Sequence, residues 1–490
     1  MIRCRRRSRR RTAALAGACG LALASAVPAA GAPPATALAP AAAKGPLDEA
    51  AETPTEADTL TRPLQPSTFL VPGTSPYQTT HLLGDWGGAL PWLQDRGIDP
   101  YVAFTGEAAG NPTGGRQRSG AWAQQLTLSA DLDWFRIAGI RGLTTHATVV
   151  HRVGSNLSGS IGNLFNVQEI YGGGGYVARL AYLTMEQVMA GGRIDLMAGR
   201  MESGTDFAAS SLYCSFMNLG LCPNPEAPYL NGRAGNGGFQ IFPYSSWGGR
   251  VRLRPLPALY LQLGVFELNP SLSPEDGWNW STSGSTGVQF PVEAGFTPGH
   301  GPHGLPGHYK VGALFDTAIH QDVLNGVDGG DDVGLGVPGR PRRGDTEIYA
   351  LADQMVMRTG PGNLAGLIVL GGFVWAGRAT AEIERFGFGG LTWAGPIAAR
   401  PKDSVGFLGL FGTINERLAA TEAIQQANRL PLAGAAAGIQ SSEVDLELDY
   451  TATVLKAITL KPNLQYIVRP GASSRYGNAL VVGFQIASLL

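Results

Sequence analysis

The chain has little charge for its length. Of 490 residues only 15% are Asp, Glu, Lys or Arg, against about a quarter in ordinary soluble domains. Apolar content is average at 44%, so the shortage does not signal disorder, which needs low hydrophobicity together with high charge. Cysteines are scarce as well. Cys4 and Cys19 fall in the first 20 residues, which leaves Cys214 and Cys222 in "YCSFMNLGLCP". Two cysteines at that spacing, with no second pair, do not make a zinc site; in an exported chain they are expected to bridge and staple one loop. Beyond residue 32 no run of 18 apolar residues lacks a charge. The longest candidate, "NLAGLIVLGGFVWAG" at 363–377, is short and broken by glycine, so no transmembrane helix is expected.

Catalytic signatures are missing too: there is no GxSxG, Walker A or HExxH. "GGGG" at 172–175 lacks the strand-to-helix setting of a phosphate loop and reads as a plain loop. "NGVDGGDD" at 325–332 has neither the EF-hand pattern nor its terminal Glu. His300, His303 and His308 in "GHGPHGLPGH" read as a Gly/Pro loop with incidental histidines. Neither an enzyme nor a cofactor or metal is expected.

What the chain does have is glycine, 69 residues, about twice the usual share. It opens with "MIRCRRRSRRR", a cationic stretch, then the apolar "TAALAGACGLALASAVPAAG" and a small-residue cleavage site at Ala30-Gly31-Ala32. Residues 1–32 read as a signal peptide. Residues 33–80, as in "APPATALAPAAAKGP", read as an Ala/Pro-rich flexible leader. Once the seven signal-peptide arginines leave, 30 basic residues face 38 acids, a net charge near −8. That argues against a nucleic-acid partner. Ordered sequence is expected from 81 to 490, starting with "HLLGDWGGALPWLQDRGI", where Asp85 caps a short helix with Pro91 in its first turn.

Beyond that point residues alternate. In "SSEVDLELDYTATV" (441–454) Glu443, Asp445, Glu447 and Asp449 share one parity, and Val444, Leu446, Leu448 and Tyr450 the other. A helix would scatter them; a strand sets four acids on one face and four apolar groups on the other. "QQLTLSADLDW" sets Leu126, Leu128, Ala130, Leu132 and Trp134 against Gln125, Thr127, Ser129, Asp131 and Asp133. "SWGGRVRLRP" sets Trp247, Val251 and Leu253 against Arg250, Arg252 and Arg254. "ITLKPNLQYIVRP" sets Leu460, Leu464 and Tyr466 against Lys461, Asn463 and Gln465, "YVAFTGEAAGN" sets Val102 and Phe104 against Glu107 and Asn111, and "LTTHATVVHR" sets Leu143, Ala147 and Val149 against His146 and Arg152. "GRIDLMAGRM" cannot carry Arg193 and Arg200 on one face without a break in the alternation. The best helical stretch is "TINERLAATEAIQQANRL", 413–430.

A soluble sandwich faces its apolar parity inward; a transmembrane barrel faces it outward to lipid and its polar parity toward a lumen. An export signal without an apolar anchor, massed acids and arginines on the polar faces, and a chain that ends inside a strand favour the barrel. The 410 residues from His81 onward, at roughly 25 per strand and connection, give about 16 strands and an aqueous channel. The fold class expected is all-β: a transmembrane antiparallel β-barrel with short helical segments and long loops.

The stretches "LLGDWGGALPWLQDRGI", "FTGEAAGN", "HRVGSNLSGSIGNLFNVQEIYGG", "LMAGRMESGTDFAASSLYCSFMNLGLCPNP", "STGVQFPVEAGF" and "LKPNLQYIVRPG" resemble the carbohydrate-selective porins of the OprB type, over nearly everything from Leu82 onward. The resemblance implies a 16-stranded outer-membrane barrel of a Gram-negative bacterium, embedded in lipid, admitting sugars such as glucose, as a monomer or homotrimer, with Cys214 bridged to Cys222. The sequence departs from the pattern in ending on Leu490, with Ser488 where an aromatic is frequent.

Sugar hydroxyls are bound at two points by arginine forks and carboxylates. Inward parity therefore nominates Glu107, Asp131, Asp133, Arg152, Arg250, Arg252, Glu443, Glu447 and Lys461 as residues lining a wet pore. Arg200 and Asp206, near the cysteines, fit a salt bridge that holds their loop. Trp278 and Trp280 in "DGWNWS" fit either sugar-stacking platforms or a membrane-interface girdle. Two other readings stay open: a general small-solute diffusion porin and a secreted β-rich binding protein.

Overall fold

The computed structural model describes residues 81–490 except 171–175, 233–235, 273–275, 301–302, 361–363 and 456. The segments read from sequence as a signal peptide and a leader, and the four-glycine run, lie outside the described residues. Eighteen strands follow in order: β1 Ile98–Gly115, β2 Gly120–Asp133, β3 Leu143–Gly154, β4 Tyr176–Met189, β5 Ile194–Met201, β6 Ser246–Leu256, β7 Leu259–Leu268, β8 Gly287–Phe296, β9 Gly307–Asp316, β10 Ile319–Gly326, β11 Gly339–Arg343, β12 Thr346–Arg358, β13 Gly366–Ala376, β14 Ile383–Ala394, β15 Ser404–Ile414, β16 Ser442–Leu455, β17 Ile458–Val468 and β18 Gly477–Leu489. Sixteen of them close into one barrel, each antiparallel to its sequence neighbour, except that β9 pairs β12 and β18 returns to β1. The remaining two, β10 and β11, form a hairpin of their own.

Closure explains why these strands form. Each barrel strand pairs on both sides, so no open edge remains and backbone groups find partners without water. Alternation then sorts the side chains. On β16, Glu443 and Glu447 are 0% and 2% exposed, whereas Leu446 and Leu448 are 38% and 50% exposed. Leu128, Val251, Leu464 and Phe484 are likewise exposed on the outer wall. A band of bare leucine and phenylalanine is unfavourable in water and suited to hydrocarbon.

The break expected in "GRIDLMAGRM" falls at Gly199 (φ 149°), after which Arg200 turns inward while Arg193 stays exposed outside β5. A side chain at Gly199 would meet the Leu183 carbonyl 2.2 Å away, so glycine is required. Asp85 caps not the helix that carries Pro91 but the 3-10 turn Trp86–Gly88, accepting from the Gly87 N–H at 3.1 Å; the helix Ala89–Gln94, with Pro91 in its first turn, follows Gly88 without a side-chain cap. Trp86 Nε1 donates to the Leu490 carbonyl at 3.1 Å, tying this opening segment to the last strand. The helix Glu416–Ala427 begins where Asn415 accepts from the Arg417 N–H.

The connections differ at the two ends. One end carries short turns such as 190–193 and 257–258; the other carries 155–175, 202–245, 269–286, 317–345 and 415–441. The last two pack together: Thr421 of the helix donates to the Val323 carbonyl at 2.6 Å, and Arg342 and Arg417 converge on buried Asp322 at 2.8 and 2.6 Å. Part of the lumen expected to be wet is occupied by the chain itself. Phe207, Leu212, Tyr213, Phe216, Phe239 and Phe242, all from 202–245, are buried inside the barrel in one apolar cluster with wall residues such as Tyr349, Phe386 and Phe388.

Candidate functional site

Segment 202–245 folds into the barrel and is fastened around its wall by carboxylates. Glu447 accepts from the Met217 and Asn218 N–H groups at 2.6 and 2.9 Å, and Asp445 from the Asn218 amide at 3.1 Å. Across the barrel, Glu293 accepts from the Ala208 N–H at 2.8 Å and from the hydroxyls of Tyr260 and Tyr349 at 2.7 and 2.8 Å. Asn231 donates to Glu347 and to the Ile383 carbonyl, both at 3.0 Å. Tyr213 meets Phe388 edge-on at 5.2 Å, and Phe239 meets Tyr349 at 5.8 Å. The Cys214–Cys222 disulfide, Cα atoms 4.7 Å apart, closes the turn of this segment beside Glu447.

The preceding long connection is held the same way. Glu443 accepts from the Leu164 N–H at 2.7 Å and from the Gly471 N–H at 2.5 Å. Glu107 accepts from the Ile170 N–H at 2.9 Å and from Gln485 at 2.8 Å. Glu226 joins the two segments, accepting from the Asn166 side chain at 2.7 Å; burial pushes its carboxyl up to about 7, against the pull of that hydrogen bond. Glu169 lies against the disulfide. The sulfurs are bonded to each other, so these three groups do not form a metal site.

The nominated residues therefore divide. Glu107, Glu443 and Glu447 point inward as parity requires but do not line water: each is buried beneath a segment whose N–H groups it accepts. A carboxylate offers about four lone-pair positions, which suits it to satisfy loop amides that no strand partner reaches. Arg152 is fully buried and donates to Gln125 at 2.9 Å. Lys461 is buried on β17 opposite Gln485 of β18. Asp133 is not part of the polar face of β2. The strand ends there, and its carboxylate caps the helix Trp134–Ala138 by accepting from the Phe135 N–H at 2.9 Å.

The other nominees meet in a charged network. Arg250 donates from Nε to Asp206 at 2.6 Å, and its Nη atoms lie 2.7 Å from both Glu186 and Asp195. His146 joins Asp131 at 2.8 Å and Glu186 at 3.2 Å. Arg252 donates to Gln262 at 2.7 Å, and Gln262 donates to Glu293 at 2.9 Å. Arg252 and Glu186 keep 20% and 17% of their side chains accessible, so this network presents a cation and an anion to solvent. Alternation carried the signal for Glu186, Asp195, Gln262 and Glu293, which the sequence reading did not single out.

Asp206 does fasten the loop by a salt bridge, but to Arg250; Arg200 instead donates to the Ser245 carbonyl at 2.7 Å and lies 5.7 Å over the Trp247 ring. Trp278 and Trp280 are not in the lumen. Trp280 packs edge-on against Trp247 of the outer wall at 5.9 Å, and Trp278 donates to the Ala178 carbonyl at 3.0 Å, as a girdle at the barrel rim does. His300 and His308 come together at the short-turn end, ring centres 5.1 Å apart, while His303 is exposed.

A closed sixteen-stranded barrel with an apolar outer band, an inward-folded segment and a charged inner wall has the architecture of a transmembrane porin. Comparison with known proteins narrows the class. Residues 117–488 match the model of the carbohydrate-selective porin, OprB family. Porin B of Pseudomonas aeruginosa is 32% identical over 432 residues, 83% of this chain and 91% of its own length. A putative porin, QuiX, of Acinetobacter baylyi is 31% identical over 423 residues, 83% and 92% of the two chains. The high-pH structure of Pseudomonas putida OprB superposes with a TM-score of 0.78 at 31% identity, over 84% of this chain and 99% of that one. The chain belongs to the OprB family of carbohydrate-selective porins. It is a channel for carbohydrate diffusion in the outer membrane of a Gram-negative bacterium.

Proposed function

We propose that the channel passes monosaccharides such as glucose, and that Arg252 and Glu186 are the groups that contact them. The observation behind this reading is the arrangement around Arg250. Three carboxylates surround that guanidinium at 2.6–2.7 Å, so it works as scaffold. Arg252, fixed by Gln262 at 2.7 Å and paired more loosely with Asp195 at 3.8 Å and Asp206 at 3.6 Å, stays accessible, as does the carboxylate of Glu186 in the same network. A fixed donor and a fixed acceptor on one wall match vicinal hydroxyls without reorganisation. The buried acids of β16 and β1 position the loops and are not sugar ligands in this reading.

The test is sugar block of ion current through single channels in planar bilayers. One charge-assisted hydrogen bond is worth about 1.5–3 kcal/mol when buried. With solvent access Arg252→Gln should weaken glucose block by roughly fivefold to tenfold, and Glu186→Gln less, because part of its charge is spent on Arg250 and His146. Unchanged block in both variants would assign sugar contact elsewhere. Residues 1–32 act in the same scheme as an export signal, and 33–80 as a leader preceding the barrel.

A further inference from the structure

We propose that the short turn between β8 and β9 carries a binding site for a divalent transition-metal ion of the zinc or copper class, with His300 and His308 as ligands and Asp353 as the group that orients His308. The two rings are tilted 59° with centres 5.1 Å apart. An imidazole nitrogen binds zinc at about 2.0–2.1 Å, which puts the ring centre about 3.2 Å from the ion; two such rings at a tetrahedral angle have centres about 5.2 Å apart. The observed spacing is that of two ligands sharing one ion.

His300 carries the second observation. Both of its ring nitrogens are buried and neither has a hydrogen-bond partner, although a neutral imidazole has one donor and one acceptor to satisfy. His308 is oriented from behind: its Nδ1 lies 2.6 Å from Asp353 Oδ1, leaving Nε2 for an ion. Carboxylate, imidazole and metal in that order is the arrangement that fixes the tautomer and strengthens the ligand.

The turn is also pre-set. Gln354 donates to the Leu305 carbonyl at 3.0 Å, Arg358 donates from Nε to the Gly304 carbonyl at 2.9 Å, and the Gly307 N–H donates to the Pro298 carbonyl at 3.0 Å. The first two contacts pin Gly304 and Leu305 to β12, the strand that carries Asp353.

The experiment uses the full mature chain without a histidine tag, refolded in detergent and checked by heat-modifiable mobility. Zinc is titrated calorimetrically, and copper binding is read by electron paramagnetic resonance for nitrogen hyperfine structure. Expected are one ion per chain, two coupled nitrogens, a loss of at least tenfold in affinity for His300→Gln and for His308→Gln, and about tenfold for Asp353→Asn. His303→Gln should bind as the wild type does. No binding by the wild type, or equal binding by the wild type and the His300→Gln variant, overturns the proposal, as does dependence on His303. Should His308→Gln fail to fold, His300→Gln decides alone, since it lies on the turn outside the barrel sheet.

Discussion

Replacing Glu447 by alanine should unfasten segment 202–245 without dissolving the barrel. The carboxylate accepts from the Met217 N–H at 2.6 Å, the Asn218 N–H at 2.9 Å and the Asn463 amide at 2.5 Å, all buried. Three buried donors left without an acceptor cost about 1–3 kcal/mol each. Relief of repulsion from Asp445 and Asp449, two residues away on the same face, returns roughly 0.2–1 kcal/mol each. Taking the low end of the cost, a net penalty of about 2 kcal/mol raises the undocked population of the segment some thirtyfold. The sheet loses no ladder hydrogen bond, so heat-modifiable mobility should persist. Amide exchange followed by mass spectrometry on peptides spanning 212–220 should show the change as faster exchange of about the same factor. Glu447→Gln keeps one acceptor oxygen and should fall between alanine and the wild type. Wild-type protection of 212–220 in the alanine variant would refute the claim that β16 acids hold the segment.

Leu446→Arg places a charge on the lipid-facing parity of β16 and should cost about 2–4 kcal/mol near mid-membrane, read as loss of folded protein in outer-membrane extracts, whereas Glu447→Gln one position away should assemble; equal behaviour would mean the facing is wrong. The β10–β11 hairpin should respond to pH through Asp322, whose carboxyl is held down at about 2 by hydrogen bonds from backbone and arginine that outweigh its burial. Because its folded value lies below the ordinary 3.8, that support is present above pH 3.8 and is lost as pH falls toward 2, and Asp322→Asn should abolish the change in hairpin protection over that window. Glu422, on the helix the hairpin packs against, has the opposite sign. Burial raises it to about 7 despite the Gln440 N–H, so its support is complete below pH 4.5 and lost as pH rises through 7, a loss that Glu422→Gln should remove. N-terminal sequencing of protein taken from outer membranes should begin just after Ala32, and retention of Met1 would overturn the signal-peptide assignment.

Much of the barrel was legible because its physics is local. The acids and leucines of β16, the arginines and apolar residues of β6, and the count of about sixteen strands follow from a period of two residues with lipid on one side. The contents of the lumen were not legible. Asp445 and Glu447 look the same in sequence whether they face water or a docked loop. What separates the two is the apolar character of "SSLYCSFMNLGL", where Leu212, Phe216 and Leu221 need burial that a surface loop does not give. Parity also fails where a strand stops. Asp133 has the alternation of β2 but the geometry of a helix cap. The pairing of Asp206 with Arg250 joins residues 44 positions apart, and only the inward fold of the intervening chain brings them together.

Liposome swelling with refolded protein tests the central claim most directly. Glucose, a disaccharide, an amino acid and a zwitterion of similar size are compared in the wild type and in Arg252→Gln. Fast admission of glucose by the wild type, slower admission of the zwitterion and amino acid, and a reduced preference in the variant are the predicted results. Equal rates for all small solutes in both proteins would contradict the account and make the channel a general diffusion porin, and no swelling at all would deny that the barrel conducts.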